Sequence, residues 1–300
     1  MTTDLQTALT GISGILVTPY DGDGEIDPRR QKPIIDKAIA AGVHILVANG
    51  NTGEFYALTV DEAEDMVRAS ADHVGGRAPL IAGVGRGFRD ACRLAKTSRA
   101  AGAAALMIHQ PPDPFSAPRG LVDYVKAVAD AADGLPVVLY LRNDAIGIKA
   151  IRELCALPAV IGVKWATPNP LKLAEAIAAT DPGIIWVGGL AEVWAPAFYA
   201  VGARGFTSGL INVWPERSVA IHAALEAGDY REANRLIAGM KAFEEIRAEE
   251  LNGTNVTGVK AALAVIGHDC GATRPPSAWP LNASQQAALQ TFIASNEIRF

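Results

Sequence analysis

Cysteine is scarce in this sequence: Cys92, Cys155 and Cys270 are the only three in 300 residues, and no two form a CxxC pair. That spacing excludes a disulfide framework and a cysteine-based zinc site, leaving three isolated thiols as packing residues. Nowhere do about 18 apolar residues run together, so no membrane-spanning helix is expected. The start, MTTDLQTALTG, lacks the charged stretch and apolar block of a secretory signal, and the cytoplasm is the expected compartment. Lys and Arg nowhere cluster, and the net charge is -5, so nucleic acid is not an expected partner. The acidic run YDGDGEID (Asp21, Asp23, Glu25, Asp27) lacks the distant glutamate and glycine pattern of a calcium loop. GVGRG at Gly83–Gly87 lacks the spacing of a dinucleotide fingerprint. No metal and no cofactor are expected.

What the chain does have is apolar residues in a repeating arrangement. Half its residues are hydrophobic and a fifth are charged, enough for a large core in a soluble fold. Short apolar runs alternate with amphipathic stretches: ISGILV, HILVAN, PLIAGV, ALMIH, PVVLYL, VIGVKW, IIWVGG and GFTSG. Between them lie segments such as DEAEDMVRASADHV and LKLAEAIAAT, whose apolar residues recur at helical spacing. Glycines at Ala40–Gly42, Ala100–Gly102 and Val201–Ala203 mark helix ends that take a left-handed cap. Eight strands alternating with helices predict an α/β fold, a parallel (β/α)8 barrel. From Pro215 the strand signal stops; Glu216–Glu250 reads as helix, and NVTGVKAALAVIG as another. The expected division is a barrel over 1–214 and a helical C-terminal extension over 215–300, packed on it as one unit.

In such a barrel the carboxyl ends of the strands face the active site. Lys164, in VIGVKW, is a charge inside an apolar strand with no acid beside it. Burial lowers an ammonium's pKa, and a neutral amine attacks carbonyls; the bland alternative is that it pairs with a buried carboxylate or points out between helices. Tyr140, in PVVLYL, is either a proton-transfer phenol or a half-buried core residue. The loop GNTGE offers Asn51, Thr52 and Gly53 as donors to a carboxylate; read alone, it is better explained as an ordinary β/α turn with Thr52 as helix cap. Thr207 and Ser208, in GFTSG, either line the pocket or merely close the barrel with small residues. Arg142 and His109 stand where they can reach the far end of a substrate.

Taken together, GISGILVTPYDGDGEID, GNTGEFYALT, IAGVG, GVKWA and GFTSGLINVWP give the chain a resemblance to the dihydrodipicolinate synthase and N-acetylneuraminate lyase family. The resemblance implies a Schiff-base lyase acting on a small 2-oxo acid, with Lys164 as imine former, Tyr140 as proton carrier, and Asn51 and Thr52 at the carboxylate. It also implies a homo-oligomer, dimer or tetramer. GEFYALT, YLRNDA, GGLAEVWAP and IRAEELNGTNVTGVKAAL resemble the branch that dehydrates 5-dehydro-4-deoxyglucarate. YLRNDAI departs from the YNxP pattern, followed by an arginine, of the biosynthetic synthases. HQPPDPF has Pro111 and Pro112 where a tyrosine normally reaches into the neighbouring subunit, and Trp165 replaces the residues that usually follow the lysine. A pyruvate-dependent aldolase or condensing enzyme, and a non-catalytic 2-oxo acid binding protein, are the alternatives.

Overall fold

The computed structural model describes residues 2–300. Each of the eight apolar runs becomes a strand: β1 (Ile12–Ile15), β2 (Ile45–Ala48), β3 (Leu80–Val84), β4 (Ala105–His109), β5 (Val137–Leu141), β6 (Val160–Trp165), β7 (Ile185–Gly188) and β8 (Phe206–Ser208). All pair in parallel, in chain order, and β8 returns to β1 to close the barrel. Continuous apolar strands suit a sheet covered on both faces. Among the described residues no helix is long and apolar enough to cross a membrane.

The helices follow the same order: α1 (Thr2–Leu9), α2 (Lys32–Ala41), α3 (Val60–Val74), α4 (Phe88–Ala100), α5 (Pro118–Ala131), α6 (Gly147–Cys155), α7 (Pro170–Ala178), α8 (Ala191–Ala200) and α9 (Pro215–Glu226). Gly42, Gly102 and Gly202 end their helices at φ of 94°, 84° and 107°, a region where a side chain is strained. Helix α9 packs against α2, α8 and β1, in the eighth position of the outer ring. Beyond it lie α10 (Tyr230–Ala238), α11 (Lys241–Asn252), α12 (Asn255–Val265) and α13 (Ala283–Ser295). The stretch from Glu216 to Glu250, expected as one helix, is divided where Gly228 takes φ 72° and again at Gly239–Met240. Helix α13 falls outside the expected set, although Asn282 and Gln285 form a capping box at its start.

Side chains alternate across each strand, which gives the barrel two cores. Val163 and Trp165 of β6 pack outward with the helices, while Ile45, Val47, Ile81, Met107, Val138 and Val187 fill the interior. Leu5 and Leu9 of α1 join that inner cluster and plug the barrel from below. The same alternation turns Lys164 and Tyr140 inward. His109, Tyr140 and Lys164 are direct neighbours in the ladder, one on each of β4, β5 and β6.

Candidate active site

Lys164 stands at the carboxyl end of the barrel interior, almost wholly buried, on the floor of a cavity of about 570 Å³. No carboxylate pairs with it among the described residues; its Nζ lies over the face of Tyr140, 3.8 Å from the ring centroid. Burial, and secondarily the positive charge of Arg142, lower its pKa from 10.5 to about 7. At neutral pH a substantial share of this amine is therefore unprotonated. Tyr140 is buried as well, which pushes its phenol up to about 12 and keeps it protonated.

The loop after β2 comes to the same cavity. Asn49 leaves the strand with φ 56°, Asn51–Gly53 make a single 3-10 turn, and Glu54 ends it at φ 55°. The Gly53 and Glu54 amides close the turn on the Gly50 and Asn51 carbonyls, at 2.9 and 3.0 Å. Asn51 donates its side-chain amide to the Tyr140 hydroxyl at 2.9 Å, while its carbonyl oxygen Oδ1 is buried without a partner. Thr52 does not cap a helix: the next one, α3, starts after Thr59, whose hydroxyl accepts from the Glu62 amide in a capping box. Glu54 turns away from the cavity. Its carboxylate meets Lys260 of α12 at 2.6 Å, both side chains fully buried, and accepts from the Arg274 amide at 2.9 Å. The C-terminal extension thus clamps the loop that carries Asn51 and Thr52.

Lys164, Tyr140, Asn51, Thr52, Arg142 and Thr207 all line this one cavity. Three other expected residues do not. Ser208 is next to Thr207 on β8 and so faces the opposite way; its hydroxyl bonds Ser218 of α9 at 3.1 Å, in the helical layer. His109 points inward but is roofed by Phe55 (ring centroids 4.6 Å apart) and meets the edge of Tyr140. Its Nε2 bonds the Asn49 carbonyl at 3.1 Å, and burial, reinforced by Lys164, lowers its pKa to about 3. It is a neutral support beside Tyr140 and does not line the cavity. Gly53 is buried in the turn, its carbonyl accepting from the Thr18 hydroxyl at 2.7 Å.

Two parts of the site have no counterpart among the expected residues. Arg247 of α11 lines the cavity, paired with Glu244 at 2.5 Å and bonded to Asn255. It passes so close to β8 that a side chain on Gly209 would meet its Nη2 at 2.6 Å. Behind the wall, Glu192 is wholly buried, with one oxygen accepting from Ser218 at 2.6 Å and the other unpartnered. Burial, and then the Glu244 carboxylate, raise its pKa. The GGLAEVWAP segment contains Glu192, but only the fold shows that its side chain leaves the cavity.

Comparison with known proteins agrees with this arrangement. The dihydrodipicolinate synthetase family model matches residues 8–296. A probable 5-dehydro-4-deoxyglucarate dehydratase of Rhizobium rhizogenes is 31% identical over 95% of this chain and 94% of its own. A 4-hydroxy-tetrahydrodipicolinate synthase of Exiguobacterium sp. is 33% identical, covering 97% of this chain and 99% of that one. The crystal structure of dihydrodipicolinate synthase from Bacillus clausii superposes with a TM-score of 0.94 at 34% identity, over 98% of this chain and 99% of the other. A lysine-floored (β/α)8 barrel matched end to end in this way belongs to the dihydrodipicolinate synthetase family, and the protein is a lyase.

Proposed function

We propose that Lys164 forms an imine with the carbonyl of a 2-oxo sugar acid and that the protein removes water from it, the substrate being of the 5-dehydro-4-deoxyglucarate type. The observation that carries this is Lys164 itself: an ammonium buried without a counter-ion, its pKa lowered to about 7, on the floor of a cavity beside a phenol. A cation so placed is costly to keep unless its neutral form is used. The neutral amine adds to C2, water leaves, and the resulting iminium draws electrons from the C3–H bond. Loss of that proton to a base in the site gives an enamine, whose electrons break the C4–O bond while Tyr140 or another acid in the site passes its proton to the departing oxygen, which leaves as water. Hydrolysis of the imine then frees Lys164. Asn51 and Thr52 hold the substrate carboxylate, and Arg142, exposed and without an ion-pair partner among the described residues, faces its far end.

The dehydratase reading draws on the Rhizobium relative and on the chain's own departures at YLRNDA and HQPPDPF. The synthase names of other relatives support a second reading, in which the same enamine makes or breaks a C–C bond. Borohydride reduction in the presence of a 2-oxo acid tests the shared step: an adduct on Lys164, located by mass, is expected, and its absence sinks both readings. Water loss without pyruvate release then marks a dehydratase, and pyruvate release or consumption an aldolase or synthase. The homo-oligomer remains part of the proposal, resting on the family likeness, and light scattering tests it.

A further inference from the structure

One wall of the cavity above Lys164 is not made by the barrel. It comes from the bend at the end of α11, where Glu250, Leu251 and Asn252 take φ of 49°, 58° and 67° in succession. Left-handed residues other than glycine cost about 1–2 kcal/mol each, so such a bend persists only when its surroundings hold it. Thr254 donates to the Ile246 carbonyl at 2.6 Å and to the Glu249 carbonyl at 3.0 Å, and Gln285 of α13 donates to the Glu249 carboxylate at 2.7 Å. The bend brings Asn255 against Arg247, whose Nε and Nη2 donate to the Asn255 carbonyl and side-chain oxygen at 3.1 and 3.0 Å. The remaining arm, Nη1, donates to Glu244 at 2.5 Å. The Arg247 and Glu244 side chains are 5% and 13% exposed.

A buried ion pair of this kind stabilises a fold little compared with an apolar pair of the same volume, so its value lies in what it presents. The two arginines of the cavity differ in that respect. Arg142 has no carboxylate within ion-pair distance among the described residues and presents net positive charge, which suits an anion. Arg247 is neutralised by Glu244, and the wall it forms with Asn255 holds guanidinium donors next to carboxylate and amide acceptors. A carboxylate only accepts hydrogen bonds, whereas an alcohol both donates and accepts. A neutral surface of mixed donors and acceptors therefore matches hydroxyl groups. The barrel comes close to it as well: a Cβ on Gly209 would stand 2.6 Å from Arg247 Nη2 and 3.3 Å from Thr52 Oγ1.

We propose that Glu244, Arg247 and Asn255 recognise hydroxyl groups along the chain of the bound acid, and so set the preference for polyhydroxylated 2-oxo acids over unsubstituted ones. The inference rests on imine formation at Lys164 and deepens it by naming the group that reads the rest of the substrate.

Borohydride trapping at graded concentrations of two monocarboxylic probes, pyruvate and 2-dehydro-3-deoxygluconate, gives a half-saturation value for each; using monoacids keeps Arg142's preference for a second anion out of the comparison. In Arg247→Met and Glu244→Gln the ratio of the sugar-acid value to the pyruvate value is expected to rise about 10- to 100-fold, the worth of a lost charge-assisted hydrogen bond. Should Arg247→Met fail to fold, Arg247→Lys, which keeps the charge and loses the fork, must show the same rise. A ratio within about twofold of the wild-type protein in the folded variants overturns the inference and leaves the imine intact. No adduct on the wild-type protein with either acid overturns the imine reading and this inference together.

Discussion

Asn51 donates its side-chain amide to the hydroxyl of Tyr140 across 2.9 Å. An amide nitrogen donates and cannot accept, so the phenol oxygen receives this bond and its own hydrogen stays free for a group in the cavity. The contact therefore bears on direction as well as position: under the proposed imine chemistry, Tyr140 would donate toward a group attached to Lys164. With its pKa pushed to about 12 by burial, the phenol releases that proton only to a strongly basic partner, such as a departing alkoxide.

Replacing Tyr140 by Phe should lower kcat by about 10²- to 10⁴-fold, the usual worth of a positioned acid or base. Imine formation should survive, because Lys164 keeps its burial, and borohydride should still label it. Loss of labelling together with turnover would mean that the phenol is needed to make the imine, not only to use it.

Only the neutral amine adds to a carbonyl, so the rate of trapping should climb about tenfold per pH unit below about 7 and level off above it. Arg142 is one of the two causes of that low value. Arg142→Met should move the inflection to higher pH. An inflection at or below that of the wild-type protein would show that the Arg142 charge does not bear on Lys164.

Stability should follow the same group with a definite sign. Between pH 7 and about 10 the unfolded chain holds a proton on Lys164 that the folded chain has lost, so stability contributed by this residue rises with pH across that window. Lys164→Met should be inactive, should be more stable at pH 7 by on the order of a few kcal/mol, and should lose that slope. Urea denaturation at several pH values reads all of this; a Met variant less stable than the wild-type protein at pH 7 would contradict it.

The Lys260–Glu54 pair should be a stabiliser only as a pair. Lys260→Met leaves a buried carboxylate alone and should cost about 3–5 kcal/mol, while adding Glu54→Gln should recover much of the loss. Because Glu54 directly follows the Asn51–Gly53 turn, the double variant should also show a raised KM for the 2-oxo acid with a smaller change in kcat. Equal damage from the single and double variants in denaturant would rule out the stranded charge as the cause.

The barrel was legible because its eight apolar runs and intervening helical periods are local signals, and Lys164 was legible because a lone charge breaks such a run. Ser208 was not: a two-residue alternation decides which of Thr207 and Ser208 faces in, and three-residue strands such as β8 are too short to show their phase. His109 has the inward phase, yet Phe55, distant in sequence, lies over it. Arg247 stands in a helix with charges on every side, EEIRAEE, and nothing local separates it from a solvated face. Its one trace is the glycine at 209, whose meaning depends on a helix that arrives some forty residues later.

That late arrival divides the labour of the molecule along its length. Lys164, Tyr140 and the loop after β2 all belong to the barrel, whereas Arg247 and Asn255 enter from a segment joined to it by packing and a few buried bonds. Under the proposed hydroxyl recognition, drift or design in the last sixty or so residues can retune which molecules are accepted, provided Lys260 and Arg274 keep their hold on Glu54 and the loop before it. A chimera carrying another family member's segment from α11 onward is the most direct route to a lyase of altered appetite.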